Sequence, residues 1–171
     1  MDQGEAGSMD ADRCWMEEAL AEARQALSEG EVPVGAVIVK DGCVVGRGHN
    51  RRESEGDPTA HAEMMAIREA ARVLGGWRLT GCTLYVTMEP CPMCAGAMVQ
   101  ARLDRLVYGA VDPKAGAVDS IVDIVREPGF NHQLQVKAGV GAEASRELLQ
   151  SFFRRLRRDA GAVERARLEN G

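Results

Sequence analysis

The spacing of apolar and polar residues in the first fifty positions predicts a helix followed by a β-hairpin. Residues 11–29 place apolar side chains on one helical face, and Gly30 follows them as a helix terminator. Residues 32–39 form an apolar run rich in valine, and residues 44–48 form a second, shorter one. Asp41-Gly42 between the two runs is a typical two-residue hairpin turn.

The rest of the chain predicts helices that alternate with strands. The predicted helices are residues 64–74, a helix that starts at Cys91 and runs to about Ala101, residues 120–125, and a closing helix from Ala142 to about Arg158. The predicted strands are residues 83–88, 105–109 and 134–137. Alternating strands and helices after one hairpin predict an α/β fold, with helices on both faces of a mixed sheet.

Length and composition predict one soluble domain. The chain has 171 residues, with 45% hydrophobic and 27% charged side chains. We expect a domain from 13 to 160, a disordered acidic extension over 1–12 and a frayed or disordered tail over 161–171. The first residues lack the basic and apolar regions of a secretory signal, so we expect a reducing, cytoplasmic location.

The charge distribution is uneven along the chain. The net charge is −5, which by itself argues against a nucleic-acid partner. Residues 1–31 hold nine acidic and two basic side chains, whereas residues 146–167 hold seven basic and three acidic ones. A basic end on an acidic protein fits two interpretations equally well, namely a phosphate-binding surface and a solvated helix face.

Two short motifs carry the chemistry: His61-Ala62-Glu63 and Pro90-Cys91-Pro92-Met93-Cys94. One imidazole and two thiolates are three ligands for a tetrahedral zinc, and a zinc with three protein ligands keeps its fourth position for water, as catalytic sites do. Cys91 and Cys94 are three residues apart, so they share one face of a helix. The prolines place this pair at a helix start, where free N–H groups favour thiolates.

Glu63 is the candidate proton carrier of this site. It lies two residues after His61, and the two side chains reach the same point only if they occupy the first turn of a helix. Asp57-Pro58-Thr59 supplies turn and capping residues just before that point. Two helix N-termini are therefore predicted to converge on one metal ion.

The other three cysteines are expected to be structural. Cys14, Cys43 and Cys82 are predicted to be small buried apolar residues of a protein in a reducing compartment. A disulfide framework is the alternative, but the chain is too long and lacks an export signal.

These motifs resemble the cytidine-deaminase superfamily and, within it, the bacterial tRNA-specific adenosine deaminases. The resemblance runs from about Trp15 to Arg158. The segments that carry it are 31–36, 48–51, 57–63, 87–91, 94–97 and Asn131-His132. It implies a three-layer α/β/α cytidine-deaminase-like fold with a five-stranded mixed sheet, and conversion of the wobble adenosine of a tRNA anticodon to inosine.

The resemblance also implies a cofactor and partners. His61, Cys91 and Cys94 would bind one zinc per chain, and Glu63 would be the catalytic proton shuttle. The partners would be a tRNA anticodon stem-loop and a second copy of the chain in a homodimer.

Carried over residue by residue, the resemblance implies a substrate-binding set of Asn50, Ala62, Pro90, Asp112, Phe152, Phe153, Arg154 and Arg155. Backbone N–H groups at Ala62 and Cys91 would hold the purine. Asn50 is otherwise a turn former, and Asp112 is otherwise a loop-capping residue. Of the two phenylalanines, we expect one to be buried in the core and the other to line the site, where RNA bases stack. Asp119 departs from relatives that often have glycine there, and it places an extra acid near the expected RNA path.

Two other functions remain open from the sequence. A deaminase of a free nucleobase or nucleotide would use the same zinc motif, although the arginine-rich last helix favours RNA. A structural zinc module would need a fourth protein ligand, which no remaining histidine or cysteine supplies at a matching spacing.

Overall fold

The structure, a computed structural model, describes the backbone of residues 4–169 and the side chains of residues 9–160. Residues 1–3, 170 and 171, parts of the predicted extension and tail, lie outside the described residues. The elements in chain order are α1 (Gly4–Ser28), β1 (Gly35–Lys40), β2 (Cys43–His49), α2 (Arg52–Glu55), α3 (Ala62–Leu74), β3 (Thr83–Met88), α4 (Pro92–Gln100), β4 (Arg105–Ala110), β5 (Gln135–Lys137) and α5 (Ala142–Glu169).

The five strands form one mixed sheet in the order β2-β1-β3-β4-β5. β1 pairs antiparallel with β2 and β3, whereas β3, β4 and β5 run parallel. α1 and α5 pack on one face of the sheet, and α3 and α4 lie over the other. The α/β/α prediction is therefore confirmed. Among the described helices, none is long and apolar enough to cross a membrane.

The predicted hairpin joins β1 to β2. Asp41 and Gly42 both have positive φ values, 49° and 73°, as a two-residue hairpin turn requires. Side chains of β1 alternate between the faces: Ala36 and Ile38 pack in the α3/α4 core, whereas Val37 and Val39 pack against α1.

α3 lies unusually close to β2 because β2 contains glycine at the contact. A Cβ on Gly48 would overlap the carbonyl oxygen of Ala62 and the backbone nitrogen of Ala66. This close approach sets the height of the first turn of α3 above the sheet, and the metal-binding motif begins at that turn.

The first helix starts before its predicted bounds. α1 begins at Gly4, so residues 4–12 are helical where the sequence predicts a disordered extension. Asp12 is buried and accepts hydrogen bonds from Arg105, Lys137 and the hydroxyl of Tyr85. These contacts join the start of α1 to β3, β4 and β5. At the other end α5 is helical to Glu169, beyond the predicted domain end at residue 160.

Two other predictions are wrong. Residues 120–125 form turns, a bend and irregular backbone instead of a helix. The N–H of Ile124, which a helix would pair with the carbonyl of Ser120, donates to the carbonyl of Ala117. Cys14 and Cys43 are exposed, and of the three cysteines outside the metal motif only Cys82 is buried.

Candidate active site

Two helix N-termini deliver the three metal-binding side chains to one point. His61 is the N-cap of α3, and Cys91 is the N-cap of α4. Pro92 occupies the first position of α4 and Cys94 follows in its first turn. The predicted convergence of two helix starts is therefore what the structure contains.

The spacing of these atoms fits zinc. The Nδ1 atom of His61 lies 3.6 Å from the sulfur of Cys91 and 3.6 Å from the sulfur of Cys94. Tetrahedral zinc with ordinary zinc–sulfur and zinc–nitrogen bonds separates sulfur from nitrogen by about 3.6 Å. Among the residues with described side chains, this is the one group of three or more potential ligands close enough to hold a metal. The three residues therefore fit one zinc with a position left open.

The electrostatics of the group favour a thiolate. The hydrogen bond from the Cys94 thiol, together with that from His61, outweighs burial and lowers the pKa of Cys91 to about 4. The hydrogen bond to Cys91, against the effect of burial, raises the pKa of His61. Burial raises the pKa of Glu63, which is 4% exposed, to about 7.

A cavity of about 220 Å³ opens beside these ligands. Its lining residues are Val32, Val34, Asn50, Arg52, His61, Ala62, Glu63, Met88, Glu89, Cys91, Asp112 and Ala115. The cavity has the volume of about seven water molecules at ~30 Å³ each. It is therefore large enough for one flat base.

Asn50 lines this cavity and is held by a buried acid. Its side-chain nitrogen donates to the carboxylate of Glu31, 3.4 Å away, and both residues are buried. Glu31 also accepts the backbone N–H groups of Glu53 and Ser54 in α2. An ionised carboxylate only accepts, so the Asn50 NH₂ group faces Glu31 and its carbonyl oxygen is directed elsewhere.

Three more of the predicted substrate-binding residues differ in where they lie relative to the cavity: Ala62, Asp112 and Pro90. Ala62 is the first residue of α3, so its N–H has no partner within the helix, and it lines the cavity. Asp112 also lines the cavity, and its carboxylate caps the loop by accepting the N–H groups of Lys114 and Ala115. Pro90 is buried behind the cavity wall, where its carbonyl accepts the N–H of Ala117. Pro90 itself does not line the cavity, and its contact with substrate stays a prediction.

The positions of the two phenylalanines agree only in part with the prediction that one is buried and the other lines the site. Phe152 is buried, 7% exposed, with its ring 5.2 Å from that of Phe153. Phe153 is 42% exposed and does not line the cavity. It lies instead in a separate surface groove, which we call the basic groove, lined by Lys114, Gln150, Phe153, Arg154 and Arg157.

Four clustered arginines in the middle of α5 lie on different faces of the helix: Arg154, Arg155, Arg157 and Arg158. Residues 150, 153, 154 and 157 have the spacing of one helix face, and all four line the basic groove. Arg155 and Arg158 are exposed but do not line it. No ion pair joins these four arginines to another residue whose side chain is described.

The remaining polar candidates have protein partners. Asp119 accepts hydrogen bonds from Tyr108 and Arg126, so its charge is paired instead of lying free on the RNA path. His132 binds the carbonyl of Leu103 at 2.6 Å, as a structural histidine does. His49 lies between the carboxylates of Glu22 and Glu29.

Sequence reasoning missed two buried acids beside the cavity, Glu31 and Glu89. Glu89 is 3% exposed and lines the cavity. Burial alone would raise the pKa of Glu89, but hydrogen bonds from Ser120 and from the backbone outweigh it and lower the pKa. Both acids stand inside apolar motif segments, Glu-Val-Pro-Val and Thr-Met-Glu-Pro-Cys, and a charge in such a place is a signal of a satisfied buried carboxylate.

Comparison with known proteins agrees with the geometry. The family model of the cytidine and deoxycytidylate deaminase zinc-binding region matches residues 9–110. The tRNA-specific adenosine deaminase of Bacillus subtilis is 48% identical over 157 residues, which cover 92% of this chain and 98% of that protein.

Two solved structures are also similar. One comes from a study of A-to-I editing by tRNA:A34 deaminases at the wobble position of transfer RNA. It is 50% identical, covers 79% of this chain and 98% of its own, and superposes with a TM-score of 0.76. A guanine deaminase from Bacillus subtilis is 44% identical over 57% of this chain and 63% of its own, with a TM-score of 0.55.

Proposed function

Because the chain belongs to the cytidine and deoxycytidylate deaminase family, we propose that it is a zinc-dependent hydrolase that deaminates adenosine to inosine at the wobble position of a tRNA anticodon. The observation that carries the proposal is the His61–Cys91–Cys94 group beside a base-sized cavity that contains Glu63. The reaction adds water across the C6–N1 bond of the purine, with the hydroxyl on C6 and a proton on N1, and then releases the exocyclic amine as ammonia.

His61, Cys91 and Cys94 would hold one zinc per chain. When bound, zinc supplies Lewis-acid activation of water at neutral pH. The protein's own contribution is to place the three ligands on helix N-termini, whose N–H groups and dipoles stabilise the thiolates.

Glu63 would carry the protons. It lines the cavity beside the three ligands, and its burial raises its pKa to about 7, where a carboxyl both accepts and donates protons at neutral pH. It would accept a proton from the attacking water and deliver it to N1 of the ring. It would then accept the second proton, from the hydroxyl added at C6, and pass it to the departing amine as the C6–N bond breaks. One residue thus serves first as base and then as acid.

Asn50, Ala62 and Asp112 would orient the base and its sugar. Ala62 lines the cavity as the first residue of α3, so its N–H would donate to the purine where negative charge develops. Asn50 is fixed by Glu31, so it presents a carbonyl oxygen as an acceptor. Asp112 lies in the loop that follows β4, and it lines the cavity.

The basic groove would bind nucleotides that flank the target base. Lys114 lines the groove and its neighbour Ala115 lines the cavity, so the two concave surfaces share one loop. An exposed phenylalanine between arginines suits base stacking next to phosphate contacts. This arrangement supports an RNA substrate over a free nucleoside.

The second candidate is a deaminase of a free nucleobase, favoured by the similarity to the guanine deaminase from Bacillus subtilis. That similarity covers less of both chains than the similarity to the tRNA:A34 deaminase structure. We therefore keep the tRNA substrate as the proposal.

The deciding experiment is incubation of the zinc-loaded protein with an anticodon stem-loop, followed by nucleoside analysis for inosine. Free adenosine, guanine and cytosine are tested in parallel, and a Glu63→Ala variant is the control for contaminating activity. We expect inosine from the stem-loop and little product from the free compounds. Efficient turnover of a free base with none of the stem-loop would favour the second candidate instead.

We also propose a cytoplasmic homodimer. Met93, Gly96 and Ala97 of α4 are partly exposed, and a Cβ on Gly96 would meet no neighbour, so this helix offers a small-residue surface for close packing with a second copy. Sedimentation of the zinc-loaded protein at micromolar concentration checks this, and a fully active 18.5 kDa monomer would refute it.

A further inference from the structure

Glu89 has an exceptional number of donors around its carboxylate. The backbone N–H groups of Val118, Asp119 and Ser120 donate to its Oε1 atom at 2.8–3.2 Å. The N–H of Asp112 and the hydroxyl of Ser120 donate to its Oε2 atom at 2.9 and 2.5 Å. Both ends of the loop from Asp112 to Ser120 are thus held by one side chain.

The middle of the same loop is fitted around this carboxylate. A Cβ on Gly116 would overlap the Glu89 carboxylate, and the N–H of Ala117 donates to the carbonyl of Pro90. Glu89 and Pro90 immediately precede the metal ligand Cys91. The loop and the metal-binding turn are therefore connected by direct hydrogen bonds.

The loop contributes to both surfaces that the substrate would meet. Asp112 and Ala115 line the cavity, and Lys114 lines the basic groove. A change in the loop would therefore move the mouth of the cavity and the edge of the groove together, and none of His61, Glu63 and the two cysteines belongs to the loop.

We propose that Glu89 is a positioning residue that fixes the Asp112–Ser120 loop as the wall between the base cavity and the basic groove, and so determines affinity for the RNA substrate. This inference rests on the proposed function for its substrate. The role requires a carboxylate, because every group that faces Glu89 is a donor and only an ionised acid accepts on both oxygens.

Glu89→Gln is the sharpest perturbation. The amide oxygen can replace Oε1 and keep three backbone donors, and the Ser120 hydroxyl can turn to accept from the new NH₂ group. The N–H of Asp112 can only donate, so it would face the new NH₂ group and lose its acceptor. Gly116→Ala disrupts the same contact from the loop side without changing Glu89, because the new Cβ would overlap the Glu89 carboxylate.

Both variants are compared with wild type as zinc-loaded protein. Loss of a hydrogen bond to a charged group corresponds to roughly a tenfold change in an equilibrium, so we expect KM for the anticodon stem-loop to rise about tenfold and kcat to change less than about threefold. Amide hydrogen exchange at Asp112 should accelerate, with zinc content unchanged. The double variant should be no worse than the worse single variant, since both break one contact.

Two controls separate this role from a general loss of structure. Ser120→Ala removes one of the five donors and should have a small effect, and Gly76→Ala adds a Cβ in open space. A KM change no larger than in these controls, a fall in kcat at constant KM, or loss of zinc in Glu89→Gln would each overturn the proposal. If the wild type makes no inosine from the stem-loop, the proposed function fails, and the exchange at Asp112 alone then decides whether Glu89 fixes the loop.

Discussion

Replacing Asp12 by asparagine should destabilise the protein although the residue lies far from the active site. Arg105 donates to both carboxylate oxygens of Asp12 at 2.7 and 2.8 Å, Lys137 donates at 2.7 Å and the Tyr85 hydroxyl at 3.0 Å. Burial alone would raise the pKa of Asp12, but these hydrogen bonds outweigh it and lower the pKa from 3.8 to about 2. A fall of that size stabilises the ionised form in the folded state by roughly 2 kcal/mol.

The expected loss for Asp12→Asn is therefore about 2–3 kcal/mol of the free energy of unfolding at pH 7, since the amide also leaves Arg105 and Lys137 without an anionic partner. The pH dependence has a definite sign. A carboxyl with a lower pKa in the folded state contributes stability above the unfolded value of 3.8, and this contribution disappears as the pH falls toward 2. The difference between wild type and variant should be constant near neutral pH and shrink below about pH 4.

Urea unfolding of the zinc-loaded protein, followed by circular dichroism, measures this difference at each pH. The matched control is Glu18→Gln, which breaks an exposed ion pair with Arg47 at 2.7 Å whose side chains are both 43% exposed. We expect the control to change stability by less than about 1 kcal/mol. Equal effects of the two substitutions, or a difference that grows in acid, would refute the reasoning.

Three further predictions concern the site. Glu63→Ala should keep about one zinc per chain by elemental analysis and lose nearly all turnover, whereas Cys91→Ser should lose both zinc and thermal stability; comparable zinc loss in the two would contradict the proposed roles. Gln at both arginines of the basic groove should weaken binding of an anticodon stem-loop and lower its salt dependence, while Gln at Arg155 and Arg158 should do so less, as fluorescence titration at several salt concentrations would show. Gly48→Ala should displace the first turn of α3 and cost about 1–3 kcal/mol together with turnover, measured by thermal melting and inosine formation.

Much of the architecture follows from local patterns in the sequence. The hairpin at Asp41-Gly42, strand β3 and the helix starts at His61 and Cys91 were predicted from residue spacing, and the structure contains them. The two cysteine ligands belong to the same class, because two residues three apart at a helix start are near each other in any fold. His61 does not, since it lies 30 residues before Cys91 and on another helix. Local geometry alone brings Cys91 and Cys94 together.

The errors arise where side chains distant in the chain decide the structure. Residues 120–125 have a helical pattern, yet Glu89, about thirty residues earlier, holds the N–H groups of Asp119 and Ser120 at its start, and the N–H of Ile124 donates to the carbonyl of Ala117 instead of that of Ser120. Phe152 and Phe153 are equivalent in the sequence, and only the packing of α5 on the sheet buries the first and exposes the second. The same packing separates the arginines of the basic groove from Arg155 and Arg158.

What the sequence determined by itself is therefore the order of elements and the two short motifs that carry the metal ligands and the reaction class, since each motif consists of residues within a few positions of one another. The tertiary structure then brings His61 to the two cysteines, 30 and 33 residues later in the chain. The tertiary structure decided which loop borders the cavity, which arginines share a groove and how α1 is anchored. Those features depend on contacts such as Asp12 with Lys137, 125 residues apart, between charged groups whose partners are determined only when the sheet brings them within hydrogen-bonding distance. The sequence shows which side chains can ionise, and the tertiary structure determines which of them come into contact.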